Sequence, residues 1–151
     1  MSTWGIAKVL SQTAEYALRA MVFLAMKEAG ATTEQIAHTT KVPSGYLSKI
    51  LQQLGRSKLV VSQRGIGGGF VLSRASESIS ILDVINAVAP IEKMTSCPLG
   101  VQTHEINLCP LHKRISEAIS TVEAAFAQTT LSELVKESQN PLCSALPFGT
   151  D

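Results

Sequence analysis

Residues 65–69 read Gly-Ile-Gly-Gly-Gly, and no other stretch of this chain restricts the fold as tightly. A helix cannot run through it, because glycine costs roughly 1 kcal/mol per helical position relative to alanine. The flanks are strand-like: 59–64 is rich in valine, and Phe70-Val71-Leu72 follows the glycines. Two short extended runs about a glycine turn predict a β-hairpin. A phosphate-cradling loop is the rival reading and fails in detail. Gly65 and Gly67 would need a third glycine where Phe70 stands, no Gly-Lys-Ser/Thr follows, and the next segment reads as strand rather than helix.

The chain before the hairpin has helical periodicity. Residues 11–29 predict a helix with Ser11 as N-cap, Gly30 as its stop, and Tyr16, Ala20, Phe23, Leu24 and the stem of Lys27 near one stripe. Thr32 and Gln35 stand at capping-box spacing, opening a short helix whose buried side is Ile36 and Ala37. A turn over 39–42 leads to Pro43 and Ser44, which start a third helix. There Leu47, Ile50, Leu51 and Leu54 fall at i, i+3, i+4, i+7. Its other face shows Gly45, Tyr46, Ser48, Lys49, Gln52, Gln53 and Arg56, with no acid, and Gly55 weakens or ends it.

After the hairpin, Ser80 and Asp83 cap a helix over Ile81–Val88 that Pro90 stops. Residues 91–109 read as a loop carrying Cys97, His104 and Cys109. Pro110 opens a long helix to about Gln128, striped by Leu111, Ile115, Ala118, Ile119, Val122 and Phe126. Thr130 and Glu133 cap a last short helix, 131–137, and the tail from Asn140 is expected to be loose.

Three helices followed by a hairpin is the order of a winged helix-turn-helix. The expected fold is mainly α with a small β-hairpin wing, a winged helix-turn-helix domain plus a long dimerisation helix. The expected division is a DNA-binding domain over 1–90, a sensor loop over 91–109, a dimerisation helix and short C-terminal helix over 110–138, and a tail over 139–151. The hydrophobic fraction of 45% in 151 residues suffices for such a core. The longest apolar stretch, 16–26, is interrupted by Arg19 and too short to span a bilayer. The opening MSTWGIAKVL lacks a basic n-region and a cleavage site, so the expectation is a cytoplasmic protein with no membrane partner.

The net charge of +1 conceals an uneven distribution. Residues 35–76 hold Lys41, Lys49, Arg56, Lys58, Arg64 and Arg74 and no Asp or Glu, a net of +6, whereas 77–151 carry −5. An acid-free segment that contains a polar helix face and a wing predicts a double-stranded DNA partner, since carboxylates there would repel the duplex. It argues against a winged helix used only for protein contacts. Ser44, Tyr46, Ser48, Lys49 and Gln52 are the expected groove residues, Lys41 a phosphate contact, and Arg64 the minor-groove contact of the wing. The stripe after Pro110 exceeds what a small core needs and predicts a homodimer. Its two recognition helices would stand roughly 34–36 Å apart, or a multiple of that, on a pseudo-palindromic operator.

These residues resemble the Rrf2 family of bacterial winged-helix regulators. The likeness lies in Leu10-Ser11, Glu15-Tyr16-Ala17-Leu18-Arg19-Ala20, Tyr46-Leu47 with Leu54, and the run from Val61 through Arg64-Gly65 to Phe70. It continues in Ile81-Leu82-Asp83-Val84-Ile85 before a cysteine loop, and in Thr130-Leu131-Ser132-Glu133-Leu134-Val135. It spans about residues 10 to 137. The resemblance implies homodimeric DNA binding governed by an iron–sulfur cluster. Members of its best-known branches use three loop cysteines. The iron–sulfur cluster regulator adds a histidine three residues after the last of them, which Cys109-Pro110-Leu111-His112 matches. The nitric-oxide-sensing branch adds an acid from the first helix, where Glu15 stands. This chain departs in the middle: no cysteine lies between Cys97 and Cys109, Thr103 and His104 occupy the expected place, and Cys143 falls in the tail.

Three readings of the loop stay open. Cys97 and Cys109 with two of His112, Glu15 and His104 would complete an iron–sulfur cluster, 2Fe–2S before 4Fe–4S. Cys97, His104, Cys109 and His112 would form a zinc site, although the spacing is not that of a zinc finger. A metal-free thiol switch, or no cofactor at all, is the third. Cys109 and His112 as nucleophile and base would make an enzyme, but the loop supplies neither an orienting acid nor an oxyanion glycine, so none is expected. The function expected is transcriptional regulation, as a repressor controlled through this loop.

Overall fold

The computed structural model describes residues 10–92 and 109–138. Its elements are α1 (Gln12–Met26), α2 (Thr33–Thr40), α3 (Ser44–Arg56), β1 (Val60–Gln63), β2 (Gly69–Leu72), a 3-10 turn (Ser76–Ser78), α4 (Ile81–Val88), α5 (Pro110–Gln128) and α6 (Leu131–Ser138). Mainly α with one two-stranded antiparallel wing, it has the expected architecture.

Local capping chemistry sets the helix starts. Ser11 Oγ accepts the Ala14 N–H at 3.1 Å. Thr32 and Gln35 exchange side-chain and backbone hydrogen bonds, as do Ser80 and Asp83, and Thr130 and Glu133. Pro110 occupies the first turn of α5, where its missing N–H has no partner to lose. The ends of elements depart more from expectation. α1 stops at Met26 rather than residue 29, because the following chain is needed elsewhere: Ala31 and Phe70 exchange two backbone hydrogen bonds of 3.0 and 2.8 Å. α3 runs through Gly55 to Arg56, and the Leu59 N–H closes back on the Leu54 carbonyl at 2.9 Å.

α1 is the axis of the core. Ala14, Ala17, Ala20, Met21 and Leu24 are its buried spine, with Phe23 beside them. Three small residues let neighbouring helices come close, which is how a chain with 5% aromatics fills its interior. Tyr16, expected on this stripe, stands at its edge. Leu47, Ile50, Leu51 and Leu54 of α3 are all buried, as are Ile36, Val42, Leu59, Val60, Ile79 and Val84. β1 and β2 pair from Val60↔Leu72 to Gln63↔Gly69. Gly69 is a required glycine, because a Cβ there would strike the Ala31 backbone. The hairpin root is thereby stitched to the link between α1 and α2.

The C-terminal helices return to the same body. Ser80 bridges Thr130, the Ile81 N–H reaches the Thr129 carbonyl, and the Leu131 N–H reaches Ile79, both at 2.9 Å. Leu131 is fully buried. Ala14, Ile81 and Ile85 form a second cluster, against which Phe126 and Leu134 pack. Ser132 Oγ donates to Glu77 at 3.2 Å. The backbone hydrogen bond at Glu77 and then this hydroxyl hold its carboxyl below the ordinary value. No residue of α5 is buried. Phe126 at its far end packs at home, whereas Leu111 at its start is 65% exposed. Among the described residues no helix is long and apolar enough to cross a membrane.

Candidate nucleic-acid interface

With its apolar face in the core, α3 turns Ser44, Gly45, Tyr46, Ser48, Lys49, Gln52 and Arg56 outward, and Gln53 is half-buried. The first turn of α3 contains no acid, and Pro43 gives it no side-chain cap. The first turns of α1, α2, α4 and α6 each carry one, Glu15, Glu34, Asp83 and Glu133. The positive end of the α3 dipole therefore faces out uncompensated, as a phosphate-facing terminus requires.

Most of the expected contact residues stand on one exposed surface of α3, each under its own constraint. Lys49 and Gln52 extend from the middle of the helix. Ser48 Oγ donates to the Ser44 carbonyl at 3.0 Å, leaving its lone pairs to accept. Tyr46, 41% exposed, is anchored: its hydroxyl meets Thr13 Oγ1 at 2.6 Å, and its ring meets Tyr16 edge-on at 5.7 Å. Lys41 is exposed in the turn between α2 and α3 and adopts left-handed backbone, φ 57°. Arg64 is exposed at the base of the wing turn.

Three features went unread in the sequence. Arg74 pairs with Asp83 at 3.2 Å, which takes one cation out of the acid-free run. Lys58 shares the left-handed φ of 57° just past α3, a conformation that its residue type does not signal. Ile66, at the crest of the wing, is wholly exposed; an isoleucine among four glycines was the available sign.

Of the expected metal ligands, Cys109 and His112 come together. Cys109 is the N-cap of α5, and its Sγ lies 3.1 Å from His112 Nδ1, one turn on. One sulfur and one imidazole nitrogen side by side suit adjacent positions on a metal, or a thiol hydrogen-bonded to a base. Glu15 is bound to Arg19 of its own helix, and Arg19 also reaches the Thr40 carbonyl at 3.5 Å. Among the described residues Glu15 does not join Cys109 and His112, and no three His, Cys, Asp or Glu gather into a metal-sized group. Cys97, His104 and Cys143 lie outside the described residues.

Known proteins share the sequence pattern and the fold of this chain. Residues 10–137 match the family model described as Rrf2, iron-dependent transcriptional regulator. A protein of Aquifex aeolicus (strain VF5), named among HTH-type transcriptional regulators, is 29% identical over 138 residues, covering 89% of this chain and 96% of its own. Among solved structures, IscR of T. potens superposes with a TM-score of 0.72 at 21% identity, over 86% of this chain and 88% of its own. CymR, described as the global cysteine regulator of B. subtilis, gives 0.68 at 26% identity, over 85% and 96%.

Proposed function

This chain belongs to the Rrf2 family of DNA-binding transcriptional regulators, which are not enzymes, and from that premise we propose a cytoplasmic homodimeric repressor whose hold on its operator is set by the state of the loop before α5. The observation that carries the DNA contact is the outward face of α3, free of acid and with an uncompensated N-terminus, beside the cationic wing. Lys49 and Gln52 read base edges in the major groove. Ser44, Tyr46 and Ser48 fix the helix against the backbone, Lys41 takes a phosphate, and Arg64 enters the minor groove.

The uncovered start of α5, with Leu111 exposed, is the proposed seam between subunits. Cys97 and Cys109 with two of His104, His112 and a Glu15 released from Arg19 are the proposed ligands of a 2Fe–2S cluster. The adjacency of Cys109 and His112 fits two of these roles. A cluster bound there would supply reversible loss or exchange of electrons as the signal. Both side chains stand on the first turn of α5, so a change in their bonding shifts that helix. Phe126 passes the shift to Ala14, Ile81 and Ile85, and the Thr13–Tyr46 hydrogen bond joins α1 to α3. The same adjacency supports a second reading, a metal-free thiol switch at Cys109.

Two measurements test these readings. Protein purified without oxygen from iron-replete cells should be coloured and contain iron and sulfide, and Cys97→Ser and Cys109→Ser should bleach it. Colourless, iron-free protein would reject the cluster and leave the thiol. Binding to random-sequence duplex at two salt concentrations should weaken steeply as salt rises, and indifference to duplex at low salt would reject the DNA contact.

A further inference from the structure

The crest of the wing carries a side chain that the fold does not use. Ile66 is wholly exposed. Of the other exposed large apolar groups, Tyr46 rests against Tyr16, Leu111 begins the α5 stripe, and Met26 and Val61 are each less than half exposed. A β-branched residue is also a poor choice for a turn, where asparagine, aspartate or serine would support the backbone.

The surrounding geometry presents this residue outward. Gly65 and Gly67 on either side have φ of +106° and +77°, and the Gly68 N–H closes the turn on the Gly65 carbonyl at 2.9 Å. The crest is therefore one side chain with bare backbone on both flanks. The base is fixed, because Phe70 is bonded to Ala31 and Val60 is buried. Arg64 stands two residues away on the same turn.

A minor groove is about 6 Å wide and walled by deoxyribose, so it admits a narrow ridge and offers it an apolar lining. One isoleucine between glycines is far too little apolar area for a protein partner, which needs on the order of 1,000 Å². We propose that Ile66 is an apolar wedge: it enters the minor groove, packs on the sugars and prises open a flexible pyrimidine–purine step, bending the duplex toward its major groove. This rests on the DNA-binding reading above. Arg64 supplies attraction there, and Ile66 selects sequences that deform easily.

The probe is a duplex that the full-length wild-type protein recovers from a random-sequence pool. It is end-labelled for energy transfer and carries 2-aminopurine at its T-A steps. Wild-type protein should shorten the end-to-end distance and brighten the 2-aminopurine at a step under the wing. Ile66→Ala should abolish both signals and bind about five- to tenfold more weakly. Its salt dependence should be unchanged, because no charge is lost, and Ile66→Met should restore the bend. An Ile66→Ala protein that bends and brightens the duplex as wild type does would overturn the wedge while leaving DNA binding intact. If wild-type protein recovers no duplex at low salt, the DNA-binding reading falls and the wedge with it.

Discussion

Two lysines with left-handed backbone flank α3, Lys41 and Lys58. An L-residue costs roughly 1–2 kcal/mol there, so glycine would be the more stable choice at either. Lys41→Gly should raise the denaturant midpoint by the equivalent of about 0.5 kcal/mol after the entropy of glycine is counted. It should also weaken duplex binding and reduce the salt dependence. The pair Arg64→Ala and Arg74→Ala separates cations by role. The first should lower the slope of log affinity against log salt by about one, and the second should leave it unchanged, because Arg74 is engaged by Asp83. Residue identity announced the chemistry of this surface, and Lys49, Gln52 and Arg64 are exposed as their types suggest. It did not announce backbone angle or pairing. A φ of +57° on a lysine is imposed by the turns around it, and the partner of Arg74 depends on how the 3-10 turn folds back.

Helix starts were legible and some element ends were not, for a physical reason. A capping box is settled within four residues, so Thr32, Ser80 and Thr130 could be read directly. The end of α1 depends on a bridge from Ala31 to Phe70, far along the chain. Ser80→Ala should cost about 1 kcal/mol in an equilibrium denaturation, because Asp83 N–H loses its acceptor. Glu77 tests the contact between the 3-10 turn and α6. Its carboxyl titrates below the ordinary value when folded, through its backbone hydrogen bond and the Ser132 hydroxyl. Its stabilising contribution is thus present above the unfolded value and lost as pH falls through the folded one. Glu77→Gln should flatten that part of the stability–pH curve on the acid side, and an unchanged curve would dissociate Glu77 from it.

At the scale of the molecule, the two ends of the α5 stripe meet different surroundings. Phe126 packs at home, and Leu111 is exposed. Its apolar pattern is continuous in the sequence and does not assign its halves, since the period is the same whichever body covers it. Leu111→Asp should leave the winged fold intact, as judged by thermal melting. It should halve the mass seen in sedimentation and weaken operator binding, because one subunit alone holds one half-site. A variant with undiminished mass would place the subunit seam elsewhere. The stitch between Ala31 and Phe70 carries a consequence for control. Two backbone hydrogen bonds tie the ridge to the link before α2, so under the regulation proposed above a signal at the loop would change the distance or tilt between two such pieces and not the letters each one prefers. Regulation in this protein should therefore retune how strongly a whole palindrome is gripped and leave the consensus of each arm untouched.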